Sequence, residues 1–361
     1  MPGVSNQPGF AAGLDNREAS NRSPTSSVAT ARQGLSHFQN PTLGRSLLEA
    51  AMSFGGFIAV CAAMYLTIEI SVWIALPLAL LAAGFLVRIF IIQHDCGHGS
   101  FFRSRLANRL VGWVCSVFTL APYASWRRHH AGHHRMWNNL DRRSTGVDIY
   151  SSCMTVAEYR ALSRFHRFLY RSVRNPLIQN VVLPPLVFLF LYRLPFDTDK
   201  NWSRERWGIQ LTNIAIVGLV VVGALLFGWE VALVQLPIMI LASIIGVWLF
   251  SVQHRFENTY WARQENWSHE QASIKGSSHL MLPKLLQWFT GNIGLHHIHH
   301  LNPRIPNYRL QSCHDSSPAL QEAPTLTFWQ AIGQSRFALW DEARQRMVSF
   351  RRCRADRHAA A

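Results

Sequence analysis

Apolar residues run almost unbroken over residues 47–67 and 70–93, with little more than Ile68 and Glu69 between the two stretches. Each is long enough to cross roughly 30 Å of hydrocarbon as a helix, so the pair predicts a transmembrane hairpin. Residues 209–227 and 231–252 are joined only by Gly228, Trp229 and Glu230 and predict a second hairpin. Arg88, near the end of the second span, is expected to snorkel to the headgroups. Two shorter apolar runs, 106–121 and 177–191, fall short of a span at about 1.5 Å per helical residue. The second is broken by Pro184 and Pro185, and both are read as interfacial or re-entrant.

The ends are polar. Residues 1–42 are rich in Ser, Asn, Gly, Ala and Arg without an apolar period, which predicts a flexible tail. The first apolar core begins too far along for a secretory signal. From Pro324 onward, Thr325 or Thr327 can cap a helix carrying Phe328, Trp329, Ile332, Phe337, Leu339 and Trp340 among Arg336, Arg344 and Arg346. Residues 316–361 are therefore expected to form an amphipathic segment on the membrane surface or on the catalytic part, leaving 43–315 as the main domain.

Charged residues make up 15% of the 361, against roughly 25% in soluble domains, which argues against a disordered chain or an ordinary cytosolic enzyme. The formal net charge is +15 and is carried by arginine, because lysine occurs only at Lys200, Lys275 and Lys284. With these spans, that balance suits an anionic membrane surface rather than nucleic acid. The loop between the hairpins carries, among others, Arg127, Arg128, Arg135, Arg142, Arg143, Arg164, Arg167, Arg171 and Arg174. By the positive-inside rule they place this loop and both termini in the cytoplasm. Six cysteines without a C-x-x-C pair read as free thiols in a reducing compartment.

Seventeen histidines change the picture from membrane protein to membrane enzyme. His94 and His98 stand in HDCGH at the end of the second span. His130, His133 and His134 in WRRHHAGHH, and His296, His299 and His300 in HHIHH, share the spacing H-x-x-H-H. Positions i, i+3 and i+4 lie on one helical face, so each triplet can aim its imidazoles at one point. His254, in QHRFE at the end of the fourth span, brings the donors to nine. One ion takes four to six ligands, so nine imply two metals. Iron fits such nitrogen-rich ligation, and zinc, copper and manganese stay open. Ligating imidazoles need partners on their second nitrogen, for which Asp95, Asp141, Asp148, Glu257 and Asn292 are candidates. His129 and His297 fall off the shared faces, and His37, His166, His269, His279, His314 and His358 are isolated and read as surface residues. Trp126 and Tyr123 are candidates for a substrate channel, and Arg127, Arg128, Arg142 and Arg143 for docking an acidic electron donor.

HDCGHGSFF, WRRHHAGHH followed by NNLDRR, QHRFENTYW and GNIGLHHIHHLNPRIPNY resemble the three histidine boxes and flanks of the membrane fatty acid desaturase family, over roughly residues 47–314. The H-x-x-x-H spacing of the first box is similar to acyl-lipid desaturases, the delta-12 type among them. The resemblance implies an all-α integral membrane enzyme with four spans in two hairpins and a cytoplasmic helical cap. That cap holds two iron ions, which with O2 convert a saturated segment of a lipid acyl chain into a cis double bond. No H-P-G-G haem motif occurs in the tails, so electrons are expected from a separate ferredoxin or cytochrome. With no transit peptide, the bacterial inner membrane is the expected location, and the endoplasmic reticulum is the alternative. The same nine histidines suit a fatty acyl hydroxylase or a carotenoid ketolase or hydroxylase. A metal transporter is disfavoured because the spans are almost bare of ionisable groups.

Overall fold

Four helices carry the long apolar stretches: α1 (Leu43–Ile68), α2 (Val72–His98), α8 (Ser203–Phe227) and α9 (Glu230–His254). Between the hairpins lie α3 (Arg105–Thr119), α4 (Tyr123–Met136), α5 (Val156–Ala161), α6 (Arg164–Val173) and α7 (Leu183–Leu189). The polar C-terminal part adds α10 (His269–Gly276), α11 (Lys284–Phe289), α12 (His296–Leu301), α13 (Leu310–His314) and α14 (Phe328–Gln334). This computed structural model describes residues 34–143 and 150–353.

Sequence dictates where α2 begins and ends. The Ser71 hydroxyl accepts from the Trp73 amide, and Gly99 closes the helix at φ 71°, donating to the carbonyls of Asp95 and Cys96. A left-handed residue after the last turn is glycine's position, and here it ends the helix directly after His98. Ala79, Ala82 and Ala83 of α2 are fully buried, as expected where small residues let membrane helices approach closely. They join Met64 of α1, Cys115 of α3 and Ile238 of α9 in one core. α8 lies outermost, with Ile214, Val217 and Leu225 exposed, the sequence of a helix that faces lipid.

Arg88 departs from expectation. Its side chain is buried, with the guanidinium donating to Glu49, to the Trp288 carbonyl and to Ser53 Oγ at 3.2 Å, 3.8 Å from the Trp288 ring. Its position on α2 faces α1 rather than lipid, so the charge pairs instead of snorkelling. Arg88→Met leaves the buried Glu49 carboxylate with only the half-exposed Arg45, 2.9 Å away, and is expected to destabilise the protein by about 2–3 kcal/mol, short of the penalty for a wholly unpaired buried charge. Combining it with Glu49→Met should recover most of that loss, read as the melting temperature in detergent. Equal melting temperatures for the single and double variants would contradict this account.

Residues 177–191, expected to be interfacial or re-entrant, form a π-turn (Ile178–Val182), α7 and a 3-10 turn (Leu191–Arg193) that follow α6 after a 55° bend, a shape shared by a broken span and a re-entrant loop. Of the expected tail, residues 1–33 lie outside the described residues, and residues 34–42 are ordered against the polar part. Gly34–Gln39 forms a 3-10 turn whose Leu35 packs with Ile298, Leu301 and Ile305, and Tyr308 Oη accepts from the Thr42 amide at 3.0 Å. The expected C-terminal amphipathic helix is also corrected. Among the described residues, the α-helix here is limited to α14, capped reciprocally by Thr327 and Gln330, and to residues 350–353. The strands β4 (Leu339–Asp341) and β5 (Arg346–Val348) then pair antiparallel, and β1 (Met154–Thr155) joins β4 in parallel. Four consecutive residues, Phe337 to Trp340, are all buried, a run that fits a strand covered on both faces rather than a helical stripe. A further parallel pair, β2 (His279–Met281) and β3 (Thr325–Thr327), ties α14 back to the polar part.

Candidate metal centre

The helix ends bring all nine boxed histidines together. One ring nitrogen each from His94, His98, His130, His134 and His299 lie within 4.8 Å of one another, and so do those of His133, His254 and His300. His296 completes the second group, its Nε2 3.1 Å from His254 Nε2.

Distances within the groups are those of ligands rather than of packed rings. Nε2 of His134 is 3.1 Å from that of His130 and 2.9 Å from that of His299; Nε2 of His254 is 3.0 Å from that of His133 and 2.9 Å from that of His300. Two nitrogens bound at about 2.1 Å to one ion at a right angle sit about 3.0 Å apart. Hydrogen bonding cannot account for the second group. His254 Nδ1 faces the Phe250 carbonyl at 2.6 Å and must donate to it, which leaves Nε2 a single lone pair facing three other nitrogens. A cation satisfies all four. His98 Nε2 is buried without a hydrogen bond, with its ring 4.7 to 4.9 Å from those of His94, His130, His134 and His299. Burial first, then the neighbouring imidazoles, holds His130, His134, His296, His299 and His300 well below the ordinary histidine pKa. They are therefore neutral, with lone pairs available to a metal.

The expected orienting groups divide. Asp95 Oδ1 lies 3.2 Å from His94 Nδ1, and its Oδ2 accepts from the Asn307 amide at 2.7 Å and the Asn307 side chain at 2.9 Å. Asn292 donates to the Asn307 carbonyl at 3.2 Å, reaching this network rather than an imidazole. Asp141 is turned outward, accepting from Arg263 and from the Gln264 amide. Glu257 faces Arg346 at 3.7 Å, and the Phe250 carbonyl does for His254 what a carboxylate was expected to do. Asp148 lies outside the described residues. Asn307 and Phe250 were missed. Phe250 is legible in retrospect, because a histidine ending a helix has the carbonyl four residues back within reach. Trp126 and Trp137 wall the site, one stacked on His130 with ring centroids 4.6 Å apart and the other 4.3 Å from His254.

His129 points away, toward Asp197 at 3.6 Å. The surface reading of His279 and His314 is corrected: His314 Nδ1 is 3.2 Å from His297 Nε2, and the His279 ring packs on His314 at 4.8 Å.

A cavity of about 420 Å³ reaches the histidines, within the size range of small-molecule sites. Its walls are mainly apolar, including Phe90 and Ile91 of α2, Phe188 of α7, and Met239, Ala242 and Gly246 of α9, with His94, His130, His133 and His296 also lining it. From Met239 to Gln253, α9 borders it for about 21 Å. Trp126 lines it as expected, whereas the Tyr123 hydroxyl is spent on the Cys96 carbonyl at 2.7 Å. Of the arginines considered for donor docking, Arg127 donates to the Gly97 carbonyl, Arg128 pairs with Glu205 and Arg143 with Glu158.

Because His94 ends α2 and His254 ends α9 and both enter one centre, the chain between them crosses the membrane an even number of times. α8 and α9 make two crossings, so the bent segment through α7 returns to the side it left.

The family model described as "Fatty acid desaturase" matches residues 71–331. A protein named "Fatty acid desaturase" from Bacillus subtilis is 45% identical over 87% of this chain and 88% of its own length. An "sn-1 oleoyl-lipid 12-desaturase" from Synechocystis is 28% identical over 75% of this chain and 77% of its own. An "sn-1 acyl-lipid omega-3 desaturase (ferredoxin)" from Nostoc is 26% identical over 66% of each.

Proposed function

Because this chain belongs to the fatty acid desaturase family, and so to the oxidoreductases, we propose that it introduces a cis double bond into the acyl chain of a membrane lipid. The balance is one O2, two electrons and two protons consumed, with two hydrogens taken from adjacent carbons and two waters formed. The observation that carries this reading is the convergence of nine imidazoles on the wall of an apolar cavity.

Under this reading His94, His98, His130, His134 and His299 hold one iron, and His133, His254, His296 and His300 the other. When bound, the irons supply the oxidising power toward an unactivated C–H bond that no side-chain acid or base has. Asp95 fixes the ring of His94, and the Phe250 carbonyl fixes that of His254. Trp126, Trp137 and the apolar walls keep water from the reacting carbons. Electrons come from a separate donor of ferredoxin type, as one relative's name specifies for itself. The arginines between the hairpins support a cytoplasmic face for the centre, in a bacterial inner membrane. The delta-12 position is the one printed for the Synechocystis relative.

Gas chromatography with mass spectrometry of fatty acids from a host expressing the protein, beside a His133→Ala control, tests this and reads the double-bond position. A new unsaturated acid absent from the control is expected. Lipids unchanged after a donor system is supplied, with no iron in the purified protein, would sink the proposal, and hydroxylated chains would move it to the hydroxylases. Asp95→Asn keeps the shape but loses the charge that orients His94. It is expected to lower iron affinity or turnover about 10–100-fold, read by metal analysis after dialysis, and wild-type iron retention and rate would refute that role.

A further inference from the structure

Among the helices between the hairpins, α6 is set apart. Phe165, Phe168 and Leu169, spaced i, i+3 and i+4, are 69%, 68% and 48% exposed, and no residue of the helix is buried. It carries Arg164, Arg167 and Arg171 and no acidic residue. Scattered exposed apolar side chains need no explanation, but three on one face of a ten-residue helix do. An apolar stripe beside arginines is the pattern of a helix lying in the membrane interface. The chain continues into Leu177, Val181 and Leu186, also exposed, so the stripe is continuous with the lipid-facing surface of the re-entrant segment.

Beside this stripe opens a second cavity, of about 930 Å³, lined by Phe168, Arg171 and Arg174 and, from the C-terminal part, by Arg336, Arg351 and Arg352. Its one carboxylate, Glu257, faces Arg346. Among the described residues, Arg171, Arg336, Arg351 and Arg352 have no carboxylate within ion-pair distance. Arg174 is buried, donating to the Ser152 carbonyl at 2.6 Å. Guanidinium groups gathered around a concavity are suited to bidentate recognition of phosphate, and without an anion their like charges repel.

We propose that this groove holds the phosphate of an anionic membrane lipid such as phosphatidylglycerol, with the apolar face of α6 immersed beside it. Phe168 belongs both to the groove wall and to the exposed stripe, which joins the phosphate site to hydrocarbon. A soluble acidic protein seated in the groove would leave that stripe in water. The site is separate from the histidine centre and would hold whether or not the chain desaturates lipids.

The test uses the full-length protein in a non-ionic detergent, titrated with dioleoylphosphatidylglycerol, dioleoylphosphatidylcholine or soluble glycerol phosphate while its melting temperature is followed. Phosphatidylglycerol is expected to raise the melting temperature saturably and the other two are not. Each cation near an anionic headgroup is worth about fivefold in affinity, so Arg336→Gln/Arg351→Gln/Arg352→Gln should raise the half-saturating concentration about 100-fold. The triple lysine variant, which keeps the charges but loses the bidentate forks, should half-saturate between the wild type and the glutamine variant, separating lost recognition from a fold defect. An equal response to phosphatidylcholine, or an unchanged half-saturation in the glutamine variant, overturns the proposal. A response to glycerol phosphate as strong as to the lipid assigns the groove to free phosphate instead. A shift given by an acidic ferredoxin and not by phosphatidylglycerol assigns it to the electron donor.

Discussion

His254→Ala is expected to abolish desaturation and to lower the iron content of the purified protein from about two ions per chain to about one. Of the nine histidines it has the least support from spacing, standing alone at the end of α9, yet its Nε2 faces three other imidazole nitrogens at 2.9 to 3.1 Å. Its ring is fixed by the Phe250 carbonyl, so it enters the centre already oriented. Losing an outer orienting group costs a metal site about 10–100-fold, and losing the ligand itself should exceed the upper figure. Three imidazoles would remain in that half of the site, His133, His296 and His300, without the nitrogen around which they are gathered. Product analysis by gas chromatography and iron by plasma emission, with exposed His166→Ala as the control expected to change neither, give the readout. Wild-type activity, or two ions retained, would remove His254 from the ligand set.

The spans and the nine histidines were legible because each rests on a short-range rule: twenty apolar residues cross a bilayer, and i, i+3, i+4 share a helical face. What was missed depends on which elements meet. Arg88 reads as a snorkelling residue until α1 places Glu49 against it. Asp141 stands close in sequence to the second box, yet its chain turns outward to Arg263. Asn307 is an unremarkable residue in the NPRIPNY flank until it donates twice to Asp95. His279, His297 and His314 are scattered over three elements, and only their packing makes them a cluster. The C-terminal strands were read as helix because aromatic and arginine residues alternate irregularly there, and the deciding fact, four consecutive buried side chains, is a property of the fold.

Gly246→Phe is expected to redirect the enzyme from long acyl chains to short ones while leaving its iron in place. Gly246 lines the cavity, and a Cβ added there meets nothing within 4 Å, so a phenyl ring would occupy space the substrate uses rather than distort the helix. It lies eight residues before His254, about 12 Å along α9. An extended methylene chain advances about 1.25 Å per carbon, from a 1.5 Å bond at a near-tetrahedral angle. About ten carbons therefore fit between the level of His254 and the new ring, and a chain reaching further would have to fold back or withdraw. One misplaced methylene is worth about 10–200-fold in selectivity, and several would be displaced, so the preference between the longest and shortest host chains should move by more than about 100-fold. Gly246→Ala, which adds a single methyl group to open space, should leave the chain profile intact. It should also stabilise the helix by up to about 1 kcal/mol. The ratio of unsaturated products by chain length is the readout, and iron content distinguishes a blocked cavity from a damaged centre. An unaltered chain profile in a Gly246→Phe protein with its full iron content would mean that the acyl chain does not run along α9.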